Sequence, residues 1–379
     1  PHSGQWQSPG FTNWTANTLT LTSAWFRFPV DCRVFITNGV TVFGTNTLNV
    51  RNRLELKNNT LQCGGNLAVT NGAVMLFGCS TLAVGGTLAA TNSRVMLCEP
   101  GATGSILQCG GRLELNYGSI LHVQSAPTND ATTNYGALVS VGDTISLQIN
   151  AVIYPCAYVT AVNGGAPLFR CRELIVAAGT AVNGEAIGYR GDSWGTGPGA
   201  GQYFCGASHG GRGGTNRDYI AYVSGPTYGN SNAPVQPGSG GGGANSPAAF
   251  GGNGGSVIWI EAQDGITVDG TLTVRGGDGS GTAYGGGGAG GSINLSCQRF
   301  KGDAGGVVQA SGGNMVAGGQ AGGGGGGRIR IKRVPFWHTF AGSIAVTGGV
   351  GMVDGYGFDG TLVLEDTMPT KAGIILICR

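Results

Sequence analysis

Three stretches of the chain repeat at a spacing of 36 residues, and this period limits the fold more than any single residue does. Gly254-Gly255, Gly290-Gly291 and Gly326-Gly327 open successive units, and Gly276-Gly277, Gly312-Gly313 and Gly348-Gly349 follow each opening by 22 residues. Between the pairs lie two short alternating apolar runs, and in the first two units a glycine-rich stretch comes next. A unit this small cannot bury its apolar face alone, so the units must stack on one another. The expected fold is all-β: a parallel β-helix or solenoid with a polyglycine-type layer in its C-terminal half.

Composition narrows the function classes. Glycine supplies 76 of 379 residues, yet it does not recur at every third position and proline numbers only 14, which excludes collagen. Charged residues make up 11% with a formal net charge of +2 and no basic run, so nucleic acid is not an expected partner. No apolar run reaches the ~18 residues of a membrane helix. The ten cysteines include no C-x-x-C pair, which argues against zinc ribbons and thioredoxin-like chemistry. An even cysteine count in a chain this poor in charge points to a secreted, oxidising setting. A start at Pro1 suits a chain whose signal peptide has already been removed.

A first repeat family fills residues 46–165 together with a less regular connector. Four segments align on leucines six apart: Leu48 and Leu54, Leu61 and Leu67, Leu82 and Leu88, Leu107 and Leu113. Runs starting at Val74, Val95 and Ile120 each follow the first leucine by 13 residues. Coils of about 21 residues with three short strands meet the needs of a β-helix, in which equivalent residues stack ~4.8 Å apart. Cys63, Val84 and Cys109 then share one column. Two rungs, roughly 9.6 Å, exceed the reach of a disulfide, so Cys63 and Cys109 should not pair. Cys79 and Cys98, at similar offsets in adjacent coils, are the better pair. Residues 1–45 carry aromatic strands that are expected to cap the open end, since an exposed last rung invites edge pairing.

The second family occupies residues 166–379. Its first strands should point Val257 and Trp259, Ile293 and Leu295, and Ile329 and Ile331 to one side. Its second strands should point Leu272 and Val274, Val308 and Ala310, and Ile344 and Val346 inward, with Arg328, Arg330 and Lys332 outside. Gly270, Gly306 and Gly342 recur at one place, where a close backbone approach is expected. Free glycine tracts normally serve as linkers. Here they recur in register with strands, so extended three-residue-per-turn chains lying side by side and hydrogen-bonding through their backbones are the expected arrangement. One unit carries a long insert at about 190–253 with Trp194, Tyr203, His209, Arg212, Tyr219, Tyr222 and Tyr228. Long insertions on one face of a solenoid often form its binding face.

Catalytic constellations are absent from the pattern. The four histidines are scattered, the many G-x-G-x-x-G matches lack a strand–helix context, and no Walker or repeated calcium motif occurs. Asp269 and Asp278 fall in turns, where aspartate is favoured for structural reasons. No cofactor and no enzymatic activity are expected. The sequons at Asn13, Asn58 and Asn294 arise readily by chance in a Thr/Asn-rich chain.

The run Ser208-His-Gly-Gly-Arg-Gly-Gly, the segment Gly-Gly-Ser-Val-Ile-Trp-Ile-Glu-Ala, and Gly-Gly-Gly-Gly-Arg-Ile-Arg-Ile resemble the glycine-rich β-helical repeat regions of large secreted and cell-surface proteins, autotransporter- or adhesin-like passengers. The resemblance covers about half of the chain and implies a β-helical architecture at an extracellular or cell-surface location. The leading expectation is a structural subunit that meets copies of itself end to end, in a filament or layer. The apolar strand Ile374, Ile375, Leu376 and Ile377 is then a subunit-contact strand. An adhesin gripping a surface glycan or receptor through the 190–253 insert is the alternative, and a β-helical polysaccharide-degrading enzyme the third.

Overall fold

The computed structural model describes residues 5–7, 11–44, 52–100, 104–127, 135–160, 164–215, 222–244, 249–281, 284–316, 320–352 and 354–367. Their strands coil into a stack of parallel rungs with three faces. One sheet holds 11 strands and a second holds 17. The second wraps two faces because long strands bend across a corner: Arg33–Phe43 pairs through Arg33 to Ile36 with Thr60–Cys63, and through Gly39 to Phe43 with Asn66–Thr70. Every pairing in both sheets is parallel. The small exception is Ala249–Phe250 with Ser280–Gly281, which run antiparallel.

Alternation along each short strand sends every second side chain inward. Leu61, Leu82, Leu107 and Val139 stack on the first face. Leu67, Leu88, Leu113 and Ile145 stack on the second. Leu54, Val74, Val95, Leu121, Ile153, Val182, Leu272, Val308 and Ile344 form a single column on the third. One core runs continuously from Leu19 to Ile331. Outward positions carry ion pairs between rungs, such as Arg170 to Glu261 at 2.8 Å and Arg172 to Asp264 at 2.7 Å. Both pairs are solvent-exposed and contribute little to stability.

The parallel β-helix and the Cys63–Val84–Cys109 column stand as expected. Several registers do not. Leu54 sits above Val74 on the third face, not above Leu67. Val95 pairs with Leu121 and Arg94 with Ile120, so that coil is one residue longer than leucine spacing implied. In the second family, Ile258 pairs with Ile293 and Ile260 with Leu295. The inward residues of the first unit are therefore Ile258 and Ile260. Trp259 faces outward and packs beside Val257, Ala157 and Ala166 in a separate small cluster. The glycine pairs keep a period of 36 while the strands here step by 35, and a one-residue slip exchanges the two faces. Arg328 is buried rather than outward, its Nε donating to the Tyr228 carbonyl at 2.8 Å. Asn294 is buried too and accepts a hydrogen bond from Arg330, so that sequon is not accessible in the fold.

The N-terminal strands expected as a cap, Asn13–Thr22, Trp25–Arg27 and Arg33–Phe43, are themselves the first rungs at that end. The connector is likewise ladder: Ala137–Val141, Thr144–Leu147 and Val152–Cys156 each pair with the coils before and after.

In the C-terminal half, each unit leaves the third face, runs outward as a glycine-rich arm, turns and returns to the first face. The arm at 322–327 shows how these arms pack. Gly322 and Gly325 donate to Phe204 and Ala207, Gly323 and Gly326 to Gly355 and Phe358, and Gly324 and Gly327 to Gly313 and Ala310. The arm at 286–291 repeats the scheme toward Gly242 and Ser239, Gly322 and Gly325, and Gly277 and Val274. Amides three residues apart thus meet the same neighbour, the signature of extended chains with three residues per turn. Such chains make no internal hydrogen bonds, so lateral bonds replace them. Neighbours run both parallel and antiparallel in this layer. A Cβ at Gly324 would lie 1.9 Å from the Gly288 carbonyl oxygen, which explains why side chains are missing here.

Candidate functional site

The 190–253 insert was the sequence's best claim to a binding site, and most of it belongs to the scaffold. Its tracts form a third column of arms outside the returning ones. Gly241 donates to Gly252, Gly242 accepts from Gly286, Ser239 accepts from Ala289, and Gly211 and Gly214 donate to Gly326 and Gly323. A chain with no side chains cannot bury an apolar face. It can bury its backbone only where each amide finds a carbonyl, and the insert does so against the repeat units.

Two expected site residues are consumed by this packing. His209 is fully buried. Its Nδ1 lies 2.8 Å from the Gly290 carbonyl oxygen and its ring centroid 4.7 Å from that of Tyr228. Burial, with Arg328 as a lesser contributor, pulls its pKa down to about 4. The Nδ1 is therefore the protonated nitrogen of a neutral ring, and the buried Nε2 has no hydrogen-bond partner among the described residues. The Tyr228 hydroxyl donates to the Pro237 carbonyl at 2.5 Å and accepts from Ser239 Oγ at 2.9 Å; burial raises its pKa. His209 is thus closed off from solvent, and Tyr228 is half-buried with its hydroxyl engaged on both sides.

Other insert residues do reach the surface. Trp194, 51% exposed, meets Tyr222 edge-on at 6.1 Å and Tyr203 at 6.3 Å, and Tyr203 lies 5.1 Å from Tyr222. Phe204 and Tyr284, 4.8 Å apart, back this cluster near the tips of the arms. Arg212 lies elsewhere. With Thr215, Asp354, Tyr356, Phe358 and Asp359 it lines a groove of about 820 Å³ whose floor is the glycine backbone of 213, 214 and 357. Tyr219 and the strand Ile374, Ile375, Leu376 and Ile377 lie outside the described residues.

The groove borders the C-terminal end of the stack, which sequence patterns did not single out. Here the last described rung, Thr361–Asp366, alternates half-buried and exposed residues. Leu362 and Leu364 are 42% and 44% exposed, while Ile329 and Ile331 in the same columns one rung below are fully buried. Val350, Tyr356 and Phe358 are exposed beside them.

Most of the described thiols are buried. Cys32, Cys63, Cys109, Cys171 and Cys297 are buried and free. Burial pushes Cys109, Cys171 and Cys297 up to about 12, which removes their nucleophilic form near neutrality. Cys79 is exposed and Cys98 half-buried, in adjacent rungs whose register shifts between Leu97 and Pro100, so Cys98 directly follows Leu97 while Cys79 lies just past Gly78, the partner of Pro100. Among the described residues no group of three His, Cys, Asp or Glu side chains converges on a metal site, and no helix is long and apolar enough to cross a membrane.

No protein-family model, no curated protein and no solved structure matches the chain.

Proposed function

We propose that this protein is a non-enzymatic, extracellular structural subunit that associates end to end with copies of itself. The observation that carries the reading is the last described rung. Its Leu362 and Leu364 continue columns that are closed everywhere below, yet they face solvent. An exposed strand edge backed by apolar side chains is a template for further pairing. The glycine layer supports a durable scaffold, since its backbone is consumed in lateral bonds and offers proteases little extended chain. Native electron microscopy and light scattering test the reading. Eleven rungs at ~4.8 Å make a stack roughly 50 Å long. Assemblies longer than one stack are expected, and single stacks at every concentration would overturn the proposal.

A second reading, an adhesin for a glycan, is favoured by the partly exposed Trp194 beside Tyr203 and Tyr222, because aromatic faces stack on sugar rings. Glycan-array binding that is lost in Trp194→Ala with the fold intact would support it; an array with no signal would remove it.

A further inference from the structure

End-to-end association leaves open which ends meet, and the inference below rests on that reading. In each complete repeat unit, certain amides point along the stack and donate to the next unit. On the outgoing arms these are Val274 to Gln309 and Ala310 to Ala345, and also Gly279 to Asn314 and Met315 to Val350. On the returning arms they are Gly287 to Gly322 and Gly290 to Gly325, then Gly323 to Gly355 and Gly326 to Phe358. The equivalents in the last unit are Val346, Gly351, Tyr356 and Asp359. None of these four amides has a partner among the described residues. They share one face with the open edge of Thr361–Asp366 and with the exposed side chains of Val350, Phe358, Leu362 and Leu364. Gly348, the equivalent of Gly276 and Gly312, is the exception and donates to Asp359 Oδ1 at 3.0 Å. Elsewhere on this face the paired amides and buried columns of the stack give way, among the described residues, to open ones.

We propose that this C-terminal face is an interface between two copies of the chain, which meet tail to tail about a two-fold axis. Three features select that partner. First, the open amides need backbone carbonyls, and the outward edge of a second such face supplies carbonyls and amides together. Second, the glycine arms accept neighbours in either direction, so a copy turned end for end can serve as well as a parallel one. Third, the arms stand beside the C-terminal half only. The head of another copy, built from Asn13–Thr22 and its neighbours, has no arm to set against Gly351, Tyr356 and Asp359. A head-to-tail contact would cover the strand edge and leave the layer open. The face also carries both signs of charge, with Arg330, Lys332 and Arg333 paired to Glu365 and Asp366, so it does not repel its own copy. The contact is isologous and closes on itself. Longer assemblies would then alternate tail-to-tail with a separate contact at the heads.

The test images the full-length chain in two-subunit particles and follows hydrogen exchange across a concentration series. Tail-to-tail pairing places both glycine layers together at the centre of a rod roughly 100 Å long, about twice the single stack. Polar particles, with the two layers separated by a bare stretch, would overturn the inference while leaving end-to-end association standing. Single stacks alone would remove both. Peptides covering 346–366 are expected to gain at least tenfold protection as concentration rises. Protection that is independent of concentration and vanishes on removing residues 368–379 would mean that the chain covers its own end, and would refute the interface. The variants Leu362→Glu and Leu364→Glu alter side chains that are already exposed, and should weaken pairing at least tenfold with an unchanged circular dichroism spectrum. Unaltered pairing in both would also refute it.

Discussion

Gly324→Ala is the sharpest test of the glycine layer. In an ordinary loop this substitution is neutral or stabilises by about 0.4–1 kcal/mol, because it restricts the unfolded chain. Here the new Cβ would sit 1.9 Å from the Gly288 oxygen and 2.6 Å from its carbonyl carbon. Restoring ordinary contact at 3.4 Å requires the arm carrying Gly288 to retreat by about 1.5 Å (3.4 minus 1.9). That arm is tied on both sides, since Gly288 donates to Gly277 at 2.9 Å and accepts from Gly313 at 2.8 Å. Overpacking costs about 1–3 kcal/mol, and one broken buried hydrogen bond adds roughly 1–3. After the unfolded-state gain, the net loss centres near 3 kcal/mol. By the rule of 1.4 kcal/mol per tenfold, this corresponds to roughly 10²-fold faster exchange through local opening of the layer. Hydrogen–deuterium exchange of peptides spanning 310–327 reads it directly. Gly305→Ala is the control: Gly305 is exposed, its nearest Cβ contact would be 4.0 Å away, and its expected effect is within about 0.5 kcal/mol. If the two variants exchange alike within threefold, the lateral packing described for these arms is wrong.

Two further outcomes follow from the buried groups. The pKa of His209 is lowered in the fold to about 4 from an unfolded value of ~6.5, so the fold favours the neutral ring. Its contribution is complete above about pH 6.5 and is lost as pH falls toward 4, up to roughly 3 kcal/mol for a shift of ~2.5 units. His122 and His338 shift the same way. Stability measured from pH 7 to 4 should therefore fall, and His209→Gln, though less stable at pH 7, should flatten that slope; an unchanged slope would refute the assignment. Cys109, Cys171 and Cys297 should resist alkylation at pH 8 until the chain unfolds, and peptide mapping of oxidised material should yield a Cys79–Cys98 link and no Cys63–Cys109 link. Early labelling of Cys171 or a Cys63–Cys109 peptide would contradict the column register.

Columns were legible in the sequence wherever the leucine pair and its turn recur, even where the spacing grows from 21 residues to the 25 between Leu82 and Leu107. Leu61 over Leu82 could be read off because 21 residues separate them and the turns match. The same rule failed at Val95, where the next coil adds a residue before Leu121, and at Ile258, where the glycine period and strand period differ by one. Spacing alone cannot say which of two neighbouring apolar residues faces inward; burial decides, and Trp259 is large enough to seek its own cluster outside. The insert's part in the scaffold is hidden from the sequence for a related reason. Its aromatic and basic residues read as ligand contacts, yet His209 is enclosed against the Gly290 arm, 81 residues away in sequence, and the Tyr228 hydroxyl is tied to Pro237 and Ser239 within the insert. A signal was present in the glycine runs at 210–214 and 238–243, which match the composition of the repeat arms. The open C-terminal face had no local motif, since it is defined by what fails to follow in register.

The three-residue step of the arms limits how such a chain can change. An amide at one position and the next amide aimed at the same neighbour are three residues apart, so adding or removing three residues in an arm keeps every later amide on its carbonyl. Adding one or two turns the remainder of the arm toward the wrong neighbour and strands its donors. Arms on adjacent units must also match in reach, or the longer one projects without lateral partners. Relatives of this protein are therefore expected to differ in arm length by multiples of three, with the same change made in neighbouring units, while the strand coils beside them tolerate single insertions at their corners.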